Sequence, residues 1–130
     1  MLYILKQLIL LFYRYEGNLG TAAGVKKMEN QKIEKDFQHY YEKALDNFIY
    51  QNKPAEAIKE LKKVIRINPD YAQAYYDLGY IYSLINKPNN AKKYYKGYLE
   101  LNPFAKDRDE VRKIITLLTY KTDYQYCLAS

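Results

Sequence analysis

Few side chains in this sequence are spaced for covalent or acid–base chemistry. Its 130 residues hold one histidine, His39, and one cysteine, Cys127. A single cysteine excludes an internal disulfide framework and any cysteine-based zinc site. No glycine-rich phosphate loop follows a strand, because no segment sustains the alternation of a strand. Carboxylates are plentiful but spread as surface charge, and Asp107, Asp109 and Glu110 read as the acidic first turn of a helix. The expectation is a protein that is not an enzyme, with no catalytic residues, no metal ligands and no cofactor. The closing Cys127-Leu128-Ala129-Ser130 fits a prenylation box. The residues before it, 119–126, are not polybasic, and the match reads as coincidence.

What must position any functional side chain is a soluble, charged and tyrosine-rich chain. Hydrophobic residues make up 48% and charged residues 28%, a globular balance that excludes wholesale disorder. There are 17 tyrosines, 4 phenylalanines and no tryptophan. That excess has two readings: A/T-rich codon usage, or a surface that uses tyrosine for contact. The formal charge of +6 favours acidic partners or anionic surfaces in general and specifies none.

The chain divides into sections. Residues 1–15, "MLYILKQLILLFYRY", are polar only at Lys6 and Gln7 as far as Tyr13. As a helix, that run would span roughly 20 Å, short of the ~30 Å hydrocarbon core of a bilayer. Lys6 lies inside the apolar run and Arg14 and Glu16 follow it, which is the wrong polarity for a secretory signal. Packing on the domain, lying in a membrane interface, and being foreign to the native protein all remain open. Residues 16–29 carry Gly17, Gly20 and Gly24 without an apolar period and read as a linker, so residues 1–29 stand apart. "GVKKM" at 24–28 back-translates into a purine-rich ribosome-binding sequence just before a start codon. One expectation is therefore that residues 1–27 are translated upstream sequence and that Met28 begins the native chain.

From Asn30 the pattern is helical throughout. Ile33, Phe37, Tyr41, Ala44 and Phe48 recur at steps of four and three. Pro54 stops this helix and opens a second, with Ala57, Leu61 and Val64, which ends at Asn68-Pro69. A third carries Tyr75, Leu78 and Tyr82; Pro88 opens a fourth with Ala91, Tyr95 and Tyr98. After Pro103 a fifth carries Val111, Ile114, Ile115 and Leu118. The class is all-α.

Asn68-Pro69 returns as Asn102-Pro103, a period of 34 residues. Within it Tyr75, Leu78-Gly79, Tyr82, Ala91, Tyr95 and Pro103 stand at fixed offsets, and the preceding unit answers with Tyr41, Ala44-Leu45, Phe48, Ala57, Leu61, Val64 and Pro69. In period and in these residues the chain resembles the tetratricopeptide repeat family. The resemblance implies a right-handed solenoid of helical hairpins: a first repeat over 30–69, a second over 70–103, a capping helix over 104–121 and a tail over 122–130. Small Gly79 and Ala91 let paired helices approach. Ala44-Leu45 departs from Leu-Gly and implies a looser first crossing, Tyr98 stands where the family has alanine, and past Pro103 the match stops at Arg112-Lys113. Two repeats and a cap are few, so self-association or packing by residues 1–15 would supply missing buried area.

Members of this family generally bind proteins on the concave face formed by the first helix of each hairpin. By matching position that face would hold His39, Glu42, Asp46 and Tyr50, then Gln73, Tyr76, Tyr80 and Ser83. Glu42 and Asp46 would repel a terminal carboxylate, so a basic, aromatic or amphipathic segment fits better, with Tyr76 and Tyr80 as anchors beside the packing stripe. Lys59, Lys62, Lys63, Lys92, Lys93 and Lys96 fall on second helices, the convex side, and read as a solubilising face without a nucleic-acid motif. The functional expectation is a cytoplasmic, noncatalytic adaptor that holds a partner segment. The alternative is a membrane-associated assembly factor anchored by residues 1–15.

Overall fold

The structure, a computed structural model, describes residues 3–8 and 22–129, the side chains of residues 22, 23 and 25 excepted. Most of the apolar amino-terminal run and much of the glycine-bearing stretch after it lie outside the described residues. The chain forms two compact units, Met1–Asp36 and Phe37–Ser130. In the first unit, residues 3–8 are helical (α1), and a longer helix, α2 (Ala22–Ile49), begins.

Two boundaries differ from the sequence reading. Residues 22–29, expected as linker, belong to α2. Of the three glycines only Gly24 falls there, and one glycine costs about 1 kcal/mol among good helix formers such as Ala23, Lys26, Met28 and Glu29. The buried face of α2 also starts later than expected: Ile33 is 47% exposed, and the core begins at Phe37.

The second unit continues with α3 (Pro54–Ile67), α4 (Ala72–Leu84), α5 (Pro88–Leu101) and α6 (Arg108–Ala129). No strand occurs among the described residues. The hairpin turns repeat as faithfully as the helices: Asn52-Lys53-Pro54 and Asn86-Lys87-Pro88 lie 34 residues apart. Both asparagines take left-handed backbone, with φ of 52° and 60°. Asparagine tolerates that conformation better than most residues, and the following proline is pre-set for the first helical turn. The hairpins also end alike, as Asn68 N–H donates to the Val64 carbonyl at 2.8 Å and Asn102 N–H to that of Tyr98 at 2.9 Å.

The core runs through the stack from Ala57, Leu61 and Val64 to Ala74, Leu78 and Ile81, then Ala91, Tyr95 and Val111. Helices α4 and α5 pack closely along their facing sides. There the Tyr95 ring lies against Gly79, and Tyr82 stacks on Tyr94 with centroids 5.5 Å apart and planes 6° from parallel. The ring of Tyr98, where the family has alanine, turns its hydroxyl to donate to Asp107 Oδ1 at 2.8 Å, tying α5 to the start of α6. In the first hairpin, buried Glu60 on α3 accepts from Lys63 at 3.0 Å and lies 3.8 Å from Lys43 of α2.

The cap is longer than the expected 104–121, since α6 continues through the supposed tail to Ala129. Nothing in that stretch breaks a helix. Its threonines are accommodated by back-bonding: the Thr119 and Thr122 hydroxyls donate to the Ile115 and Leu118 carbonyls at 2.9 and 2.8 Å.

Candidate interaction groove

By the 34-residue offset, Leu45 and Leu61 occupy in the first hairpin the places of Gly79 and Tyr95 in the second. Two branched side chains there replace a glycine against a flat ring. Beside that substitution a groove of about 330 Å³ opens. Leu45, Phe48 and Ile49 of α2 form one wall, Tyr76, Asp77, Tyr80 and Ile81 of α4 the other, and buried Ala44 and Leu61 complete the lining.

Asp77 brings the one ionisable carboxylate to this lining. Its Oδ2 accepts from the Tyr41 hydroxyl at 3.0 Å and its Oδ1 from Gln73 Nε2 at 2.9 Å. Burial raises the carboxyl above the usual carboxylate range, and those two hydrogen bonds pull it back down. The Tyr41 phenol is pushed far up, first by burial and then by the Asp77 charge and the hydrogen bond to it. The result is a held acceptor within an otherwise apolar surface.

Of the eight expected groove residues, Tyr76 and Tyr80 line the groove, and their roles differ. Tyr80 is 46% exposed and meets Phe48 edge-on at 6.0 Å. Tyr76 is half-buried, edge-on to Tyr95 at 5.6 Å and Tyr98 at 5.3 Å. It therefore packs α4 on α5 as well as walling the groove, which corrects its expected place beside the packing stripe. Gln73 acts one step back, through Asp77, and the Ser83 hydroxyl donates to the Gly79 carbonyl at 2.9 Å.

The four expected residues of α2 and its end do not line this groove. His39 stacks edge-on with Tyr40, Glu42 accepts from Gln38 at 2.8 Å, Asp46 accepts from Gln51, and Tyr50 lies in the turn, 81% exposed. The groove instead uses Leu45, Phe48 and Ile49. A signal for this was present: Leu45 and Ile49, four apart, widen the apolar face of α2 beyond its packing stripe. Nothing in the sequence singled out Asp77.

On the other side of the hairpins, a depression of about 530 Å³ is bordered by Lys92, Lys93 and Lys96 with Tyr75 and Tyr94. Among the described residues no group of three His, Cys, Asp or Glu could hold a metal ion, and no helix is long and apolar enough to cross a membrane.

Fold and groove together define a helical-hairpin repeat protein that presents a surface. Residues 46–85 match the TPR repeat family and residues 72–104 the tetratricopeptide repeat family. The chain is also similar to the crystal structure of MamA, with a TM-score of 0.52 and 25% identity over 69% of this chain and 60% of that one. It thus spans less than two thirds of MamA. No curated protein matches by sequence. The chain carries tetratricopeptide repeats, modules that serve protein–protein interaction and are typically noncatalytic.

Proposed function

We propose that this protein is a noncatalytic adaptor that holds a segment of a partner protein in the groove between α2 and α4. The carrying observation is an open, apolar groove whose rim residues Ile49 and Tyr80 are 60% and 46% exposed. An amphipathic segment fits it: apolar side chains would enter between Phe48, Ile49, Tyr80 and Ile81, while a basic or donor group meets Asp77. Glu42 and Asp46, exposed on the same helix, disfavour acidic segments. The setting is the cytoplasm.

Peptides selected from a displayed library by the full chain supply the probe. Tyr80→Ala and Ile49→Asp should each weaken the selected peptides at least about tenfold. Ile49 is 60% and Tyr80 46% exposed, and Tyr80 gives up only its edge contact with Phe48, so melting should move little. Undiminished affinity in both variants would remove the groove reading.

A second reading rests on Tyr3, Ile4, Leu5 and Leu8, which are 51–74% exposed. In it, residues 1–15 hold the repeats at a bilayer surface as part of a membrane-associated assembly factor. Carbonate-resistant membrane association that disappears on deletion of residues 1–27 would favour it over the free adaptor.

A further inference from the structure

A helix that ends a repeat stack needs a polar outer face. Helix α6 departs from this rule over its carboxy-terminal half. Val111, Ile114, Ile115 and Leu118 are buried or half-buried against the domain. Leu117, Tyr120, Tyr124 and Leu128 recur at steps of three and four, which places them on one stripe. At 100° per residue that stripe lies roughly 130° from the buried face. Its four members are 68%, 69%, 66% and 71% exposed. Lys121 flanks the stripe without interrupting it. A contiguous apolar surface of this kind marks an association site.

We propose that two copies of this chain pair through the carboxy-terminal halves of α6, antiparallel about a two-fold axis. A second copy offers the same stripe, so one patch serves both sides of an isologous contact. Area sets the class of contact. With a tyrosine ring covering ~150–250 Å² and a leucine roughly 100 Å², each copy offers roughly 400–500 Å² at the observed exposures. The pair buries ~900 Å², the range of a weak, reversible dimer.

Direction follows from where the body sits. The buried positions of α6 run from Val111 to Thr122, so the repeats sit towards its amino-terminal end. Parallel pairing would press two bodies together at the same end. Antiparallel pairing centred near Thr122 brings Leu117 towards the partner's Leu128 and Tyr120 towards the partner's Tyr124, with the bodies at opposite ends. No ion pair is part of the contact, so salt does not weaken it.

Sedimentation of the full chain from about 1 µM to several hundred µM tests the pairing, since micromolar dissociation is the strength such an area supports. The expected result is a concentration-dependent monomer–dimer equilibrium that persists when the salt is raised. Tyr124→Glu and Leu128→Glu should each weaken it at least about tenfold with unchanged helical signal and melting. Tyr126→Glu, equally exposed but off the stripe, should leave the dimer intact. A chain that stays monomeric throughout overturns the proposal. So does a dimer indifferent to both stripe variants, which would place association elsewhere, for example at residues 1–15. Equal loss in Tyr126→Glu would also overturn it, as would a monomer that binds phosphatidylcholine vesicles through the stripe instead of pairing.

Discussion

Adding one methyl group at Gly79 tests the central contact of the stack. A Cβ at that position would lie 2.9 Å from both Cδ1 and Cγ of Tyr95 and 3.0 Å from its Cδ2. Separations this short force something to move. The ring has little freedom: Tyr95 is only 2% exposed, and Tyr76 stands edge-on to it at 5.6 Å. Relief must therefore come from separating α4 and α5 or twisting Tyr95 off its rotamer, at ~1–3 kcal/mol. Alanine recovers about 1 kcal/mol through helix propensity. The net expectation for Gly79→Ala is a loss of up to about 2 kcal/mol, about 1 at the middle of that range, which is a fall of about 4–8 °C in Tm for a domain of this size. The control is Gly24→Ala, where nothing lies within 4 Å and propensity acts alone, so helical signal should rise slightly and Tm of the core should hold. Gly97→Ala should fall between, because its contact at 2.8 Å is with Tyr75, a half-buried ring that can swing. Paired thermal and urea melts followed by circular dichroism decide the matter. A Gly79→Ala protein that melts at or above the wild type would refute the reasoning.

Alkaline stability should depend on Tyr98, whose hydroxyl is pushed up to about 12, by burial first and then by its hydrogen bond to Asp107. A phenol raised in the folded state contributes stability fully below its unfolded value of 10.0 and loses it as pH climbs towards 12. Tm should fall across that window, less steeply in Tyr98→Phe, where the Asp107 bond is already missing at neutral pH; identical pH profiles would contradict this. Tyr41→Phe should cost ~1–3 kcal/mol near neutral pH, because the Asp77 carboxylate loses a donor, and Asp77→Asn should cost less, since it also removes a partly buried charge. Negligible losses in both urea melts would show instead that Asp77 is freely hydrated. The raised Asp77 carboxyl makes the folded state bind its proton first, so its contribution favours folding more below pH 3.8 than above its raised value. Asp77→Asn should remove that slope from an acid titration of Tm. Deleting residues 1–27 should leave the melt of the remaining chain unchanged, because its core starts at Phe37, and a truncated chain that cannot fold would refute the boundary.

The sequence alone determined the features written along one strand of chain. The 34-residue return of Asn-Pro, with Leu78-Gly79, Tyr82, Ala91 and Tyr95 at fixed offsets, was enough to establish an all-α class, hairpins and repeat family. It also located the close approach at Gly79, because a glycine and an aromatic sixteen residues apart, one on each helix of a hairpin, are a positional signal. Helix ends were less legible. Glycines argued for a linker across 22–29, and a failing family match argued for a tail after 121, yet neither stretch holds enough breakers to stop a helix.

Tertiary structure decided which faces became surface. Helical spacing fixes the angle of a side chain about its own axis and says nothing of how far away the neighbouring axis lies. The Leu45 and Leu61 pair replaces glycine against a ring, and the groove beside it runs along Leu45, Phe48 and Ile49 instead of His39, Glu42, Asp46 and Tyr50. The separation of α2 from α4 lets Tyr41 reach Asp77, 36 positions along the chain, and that of α4 from α5 lets Tyr76 meet rings on α5. Interaxial separation is a sum over side chains contributed by two helices at once, so no single helix encodes it.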